Sequence, residues 1–287
     1  MSLKNFIIAT TVLAGLFCRP LARLIEFSVG DELYSYILLI PFISGYLVWL
    51  DKKNIPAAGA PAVKTAGLFF ALGLADLFWF WRTPPALAVD GLAGSMLAFV
   101  FFLIGIGCIF LGGQRMRFLA FPFGLLVFLT PFPQALRDGI EAFLQHGSAE
   151  AADWMFQLSG LTYYREDLVF KLTTITLRVA PECSGIHSTV VLFITSLVAG
   201  QMLLRRPEKR AALALFILPL ALLRNAFRIF VLGQLCVRVG PNMIDSPIHH
   251  HGGPLFFALS LVPFFALLYF LKKSELKNQG GAPTNKK

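Results

Sequence analysis

The sequence predicts an all-α integral membrane protein of about eight transmembrane helices, with an external interfacial helix and a short β-like segment before the sixth. Three observations predict it. The 287 residues are 56% hydrophobic and only 14% charged, with a mean hydropathy of +0.70, whereas a soluble domain carries about a quarter charged residues. The apolar residues are gathered into stretches of roughly 17–25, the length that spans a bilayer as helix. The basic residues lie in short segments between those stretches, as the positive-inside rule expects of cytoplasmic loops.

Apolar runs bounded by charge or by Pro and Gly place the helices at about 5–22, 34–50, 65–82, 91–112, 117–133, 184–204, 211–232 and 253–271. The first is read as a retained helix, because Phe17 is too large to precede a lipoprotein-type cleavage at Cys18. Assigning alternate connections to the two sides gathers Lys4, Lys52, Lys53, Lys64, Arg115, Arg117, Arg205, Arg206, Lys209, Arg210 and the tail lysines 272, 273, 277, 286 and 287 on one side. Only Asp51, Glu208 and Glu275 stand against them there. This asymmetry orients both termini to the cytoplasm and makes the number of spans even. The net charge of +9 therefore reports topology, and a nucleic-acid partner is not expected. Residues 1–275 read as one membrane domain and 276–287 as a disordered cytoplasmic tail.

The one long connection, about 134–183, falls on the external side. Its first half, from Gln134 through Trp154, Met155 and Leu158, sets apolar residues at helical spacing opposite charged ones, the pattern of a helix lying in the membrane interface. In its second half the period changes. Thr174-Ile175-Thr176-Leu177-Arg178-Val179 alternates, which suits a short strand with one covered face and leads into Pro181-Glu182-Cys183.

With that orientation three distant features fall at one depth. Cys183 opens the sixth span at its external end. Arg228 lies eighteen residues past Arg210, a climb of about 27 Å at 1.5 Å per residue, with Arg224 one turn deeper on the same side. His249, His250 and His251 immediately precede the eighth span. A thiol attacks as thiolate, and a helix N-terminus or a neighbouring cation lowers its pKa. Histidine can move the proton between the thiol and a leaving amine, and a dehydrated arginine can hold a carboxylate or an oxyanion. Ionisable groups within spans usually face a functional cavity.

Each feature also has a plainer explanation. Cys183 could be a small helix-start residue, or half of a disulfide with Cys18 or Cys236. The arginines could snorkel to headgroups. The three histidines could bind a metal, but they lack the further ligands of a closed site, so neither metal nor cofactor is expected. His187 is a candidate base or substrate contact, and reads more plainly as a packed polar residue. Asp76, the one acid well inside a span, is a candidate to pair with an arginine, and Cys108 reads as packing.

Glu182-Cys183-Ser184-Gly185-Ile186, then Arg224-Asn225-Ala226-Phe227-Arg228-Ile229, then His249 with Gly253 four residues on and Phe256-Phe257 beyond, resemble the exosortase/archaeosortase family in order, spacing and depth. Upstream, Tyr34 to Pro41 and Pro131-Phe132-Pro133 stand where that family has its further segments, so the similarity covers roughly residues 30–271. The resemblance implies a membrane-embedded cysteine transpeptidase with Cys183 as nucleophile, Arg228 and His249 as its catalytic partners, and Arg224, His187 and His250 as substrate contacts. It implies exported protein substrates whose C-terminus carries a motif such as Pro-Glu-Pro, a hydrophobic helix and a basic tail, and a link to exopolysaccharide production. It also implies a multi-pass protein of the inner (cytoplasmic) membrane whose active site faces the external or periplasmic side. Departures are Tyr36, where many relatives have histidine, and His187, where many have arginine or another residue. The competing classes are a non-enzymatic transporter or scaffold for polysaccharide export and a lipid phosphatase. The latter needs contiguous Ser-Gly-His, against Ser184-Gly185-Ile186-His187 here. His-Glu-x-x-His, the signature of a zinc protease, does not occur. Oligomeric state is not legible.

Overall fold

The computed structural model describes residues 3–57, 59–180, 184–245 and 253–280. Among them, six helices are long and apolar enough to cross a membrane, or seven if one bent pair counts as a span. The chain forms two compact units, Met1–Arg137 and Asp138–Lys287.

The first unit contains α1 (Leu3–Leu16), α2 (Cys18–Gly30), a 3-10 segment (Glu32–Leu39) running into α3 (Ile40–Leu50), α4 (Val63–Arg82), α5 (Ala88–Phe110), α6 (Gly113–Phe118), α7 (Ala120–Leu125) and a 3-10 turn (Leu126–Leu129). Helix α4 packs along α5, where Gly73 receives the Phe102 ring and Gly105 the Phe70 ring.

Two of the eight expected spans differ from their prediction, and a proline stands at the first break of each. The run 5–22 is two helices meeting at 72°. The run 117–133 is three short pieces, of which Ala120–Leu129 is an apolar helix too short to cross. A proline ring clashes with the carbonyl four residues before it and brings no N–H to it. Helix α1 ends at Leu16, four residues before Pro20, and α6 ends at Phe118, four residues before Pro122. Asp76 remains without its expected arginine: its Oδ2 is buried and has no hydrogen-bond partner among the described residues.

Helix α8 (Gln134–Ser159) begins in the first unit and leads into the second. The second unit continues with β1 (Tyr163–Glu166), β2 (Val169–Leu172), β3 (Thr176–Arg178), α9 (Ile186–Leu203), α10 (Pro207–Arg238), a 3-10 turn (Pro241–Asp245) and α11 (Gly253–Gly280). The strands form an antiparallel meander with Tyr163 opposite Leu172 and Phe170 opposite Leu177. The alternation at 174–179 thus marks the last strand of a three-stranded sheet. Helix α11 extends several residues past the expected end of the eighth span, and residues 281–287 lie outside the described ones.

Helix α8 carries apolar residues on two faces. Leu144, Ala149, Ala152 and Phe156 are buried, the last three with Phe170 and Leu177 of the sheet and with Ala226, Ile229 and Cys236 of α10. Phe143, Trp154 and Leu158 are exposed, which fits the amphipathic helix expected at an interface. A second core joins Leu192 of α9, Leu213 and Ile217 of α10, and Phe264 and Leu268 of α11. At the basic end of these helices the Glu275 carboxylate accepts the N–H groups of Arg205 and Arg206, both at 3.0 Å, and Lys209 donates to the Leu271 carbonyl. These bonds fix where α10 starts, and so the level that Arg224 and Arg228 reach.

Candidate active site

The turn that opens α9 is built around Gly185. Its φ of +72° lies in the left-handed region, where glycine carries no steric penalty. A side chain there would also strike its neighbour, since an added Cβ would sit 2.7 Å from Arg224 Nη2. Ser184 is buried, and its Oγ accepts the Ile186 N–H at 3.4 Å.

The Gly185 carbonyl begins the helix by accepting the Thr189 N–H at 3.0 Å. It also accepts the Thr189 hydroxyl at 2.8 Å and the Ser188 hydroxyl at 3.0 Å. Arg224 reaches the same oxygen from α10, its Nη2 donating at 3.1 Å and approaching Thr189 Oγ1 at 3.3 Å. The guanidinium is therefore turned onto the start of α9 rather than snorkelling. Among the described residues no carboxylate pairs with it, and its Nη1 is buried without a hydrogen-bond partner. Arg228 lies one turn further along the same face of α10 and is half-buried.

Asn225 was missed by the sequence reading as a site residue in its own right. It is only 3% exposed, its Oδ1 lies beside the Gly185 turn, and its Nδ2 is buried with no partner among the described residues. The available signal was an amide inside an apolar span, where an unsatisfied polar group is costly. The turn thus carries two buried donors, Arg224 Nη1 and Asn225 Nδ2, each able to receive an oxygen that the described residues do not supply.

Of the residues predicted from sequence, the structure brings together Arg224 and the Ser184–Thr189 turn, with Arg228 one helical turn away. His187 sits in the first turn of α9, half-buried. Cys183, His249, His250 and His251 lie outside the described residues, as do Pro181 and Glu182. Among the described residues Cys18, Cys108 and Cys236 are free thiols; the disulfide alternative for Cys183 falls on a residue outside them.

The surrounding scaffold holds the chain just upstream. Gln145 Nε2 of α8 donates to the Val179 carbonyl at 3.1 Å, and the Thr174 hydroxyl to the Cys236 carbonyl at 3.2 Å. Arg165 ties β1 to α8 through Glu150 at 2.6 Å and Asp153 at 3.6 Å. The Tyr163 hydroxyl donates to Asp153 Oδ1 at 2.6 Å, and burial with that bond pushes its pKa up to about 12.

No curated protein and no solved structure matches the chain. The model of the transmembrane exosortase family (Exosortase_EpsH) matches residues 28–266, a stretch that takes in α3 to α10, the Gly185 turn and both arginines. With the matched stretch covering most of its length, the chain belongs to the transmembrane exosortase family.

Proposed function

We propose that this membrane sorting transpeptidase cuts its substrates through a thioester on Cys183. The observation that supports it best is the Arg224 guanidinium held on the turn that begins two residues after Cys183, beside a second buried donor from Asn225. The N-terminal end of α9 and two arginines make this an electropositive spot, where a thiol ionises more readily.

In the proposed reaction the Cys183 thiol gives its proton to a histidine of the 249–251 group, with His249 the residue indicated by the family pattern. The sulfur attacks the scissile carbonyl, and Arg228 stabilises the oxyanion. Collapse breaks the C–N bond, the histidine returns the proton to the leaving amine, and the acyl group remains on sulfur. Water or an acceptor amine then attacks the thioester, giving hydrolysis or transfer, and the thiol is restored. Arg224 Nη1 and Asn225 Nδ2 receive substrate carbonyl or carboxylate oxygens next to the scissile bond, with His187 and His250 as further contacts. The substrates on this reading are exported proteins with a C-terminal motif, a hydrophobic helix and a basic tail. Both termini are cytoplasmic, and the site opens on the external face of the cytoplasmic membrane.

The test is co-expression with an exported protein bearing such a tail. Cys183→Ala inserts into the membrane at wild-type level but leaves the substrate at full length. One of the three His→Ala changes at 249, 250 and 251 does the same while the other two keep processing. Normal shortening of the substrate by Cys183→Ala would overturn the proposal.

A further inference from the structure

A groove of about 1090 Å³ runs along the first unit between α1, the 3-10 segment with α3, and α5. Its walls are almost wholly apolar, with Leu3, Phe6, Ile37, Phe99 and Leu129 among the lining residues. It opens sideways at Phe42 and Gly45, both exposed, and a Cβ on Gly45 would meet nothing within 4 Å. No acidic residue lines it, and its two charged lining residues, Lys52 and Arg115, are both basic. Both are oriented: the Lys52 ammonium lies 4.8 Å from the Trp49 ring centroid, and Arg115 Nε donates to the Pro56 carbonyl at 2.8 Å.

We infer that this groove holds an anionic phospholipid, its acyl chains on the apolar walls and its phosphate between Lys52 and Arg115. Length and charge both select that occupant. From Ile37 to Lys52 the wall rises about 24 Å, taking about 2.0 Å per residue for the 3-10 part and about 1.5 Å for the helix. One leaflet with its headgroups is about 20–22 Å deep, half of the bilayer, whereas a spanning helix needs about 30 Å of apolar wall. A peptide helix followed by a basic tail would also set that tail against Lys52 and Arg115. Bases at the end of an apolar cleft at headgroup depth attract phosphate-bearing lipid.

The test uses the full chain in nanodiscs of mixed phosphatidylglycerol and phosphatidylcholine, released into native mass spectrometry to count retained lipids. The wild type retains phosphatidylglycerol in preference to phosphatidylcholine. Lys52→Gln with Arg115→Gln lowers phosphatidylglycerol retention about ten-fold. Gly45→Trp, which fills the groove, lowers retention of both lipids, and Lys64→Gln, a base outside the groove, changes neither. Unchanged retention in the double variant, or an equal loss in Lys64→Gln, overturns the inference. So does displacement of the lipid by millimolar inorganic phosphate, which would mark a headgroup-only anion site. A photo-crosslinking residue at position 45 distinguishes the remaining occupant: adducts with lipid support the inference, and adducts with a substrate peptide overturn it.

Discussion

Two arginines of the second unit are treated in opposite ways. Arg165 is saturated: Glu150 and Asp153 flank its guanidinium, the Asp167 carbonyl accepts from Nε at 2.9 Å, and its Cζ lies 5.5 Å from the Phe170 ring centroid. Arg224 has a carbonyl and a hydroxyl on Nη2, while its buried Nη1 has no hydrogen-bond partner among the described residues. A donor left unpaired in a buried setting costs about 1–3 kcal/mol, more when charged. A chain under selection only for stability would complete Arg224 as it completes Arg165. The difference separates an arginine that fastens a hairpin to a helix from one that, on the proposed function, is kept open for substrate.

The sharpest way to break the comparison is to neutralise each arginine. Arg224→Gln is expected to reduce substrate processing about 10²-fold, the loss typical of a misplaced substrate, with little change in thermal midpoint. Arg165→Gln should lower the midpoint by about 2–4 °C and leave processing within a few-fold. Parallel rate and melting measurements on the two variants decide it, and a reversal of the two profiles would end the distinction.

Next in size is Phe156→Ala on the fastening side. Phe156 is fully buried, with ring centroids of Tyr163, Phe170 and Phe230 at 5.3, 5.4 and 5.4 Å. Its truncation should cost about 3–5 kcal/mol, read as lost sheet protection in hydrogen exchange. On the ligand side, Gly185→Ala meets both the positive φ and the Arg224 contact. The left-handed backbone alone costs about 1–2 kcal/mol. The expected outcome is a folded protein whose processing falls at least as far as its stability, measured on the same preparation.

The smallest effect is on pH. The bond from Arg165 holds the Glu150 carboxyl below the usual carboxylate range. Its folded pKa lies below its unfolded one, so the contribution is present above the unfolded value near about 4.3 and is lost as pH falls through the folded value. Tyr163 works at the other end. Its pKa is raised to about 12, so the neutral hydroxyl that bonds Asp153 stabilises fully below the unfolded value near about 10, and this contribution fades as pH rises toward 12. Melting against pH should show shallow losses at both extremes, and Arg165→Gln should remove the acid one.

Much of the fold was legible because hydropathy and helical length carry most of the information in a membrane chain. Six runs became long helices near their expected bounds. The two that broke, at Leu16 and Phe118, are both governed by a proline four residues on, a signal present in the sequence but outweighed by apolar composition. Pro219 and Pro263 show why the signal is not automatic, since α10 and α11 continue through them. The sheet was half visible: the alternation at 174–179 announced β3, while Tyr163–Glu166 and Val169–Leu172 depend on pairing to each other and on the α8 core, which no local pattern reports. At the site, helical rise set Arg228 at the level of Cys183 with Arg224 one turn deeper, and it is Arg224 that reaches the start of α9. Asn225 stayed hidden because its significance lies in a missing partner, a property of packing rather than of spacing.

The measurement that tests the central claim most directly is the intact mass of the purified enzyme quenched during turnover with a peptide carrying the sorting motif. The account predicts an acyl adduct on Cys183 that hydroxylamine releases at neutral pH, that is absent in Cys183→Ala and that is strongly reduced in Arg224→Gln. Turnover with no adduct on Cys183, or an adduct on another side chain such as Ser184, would contradict it.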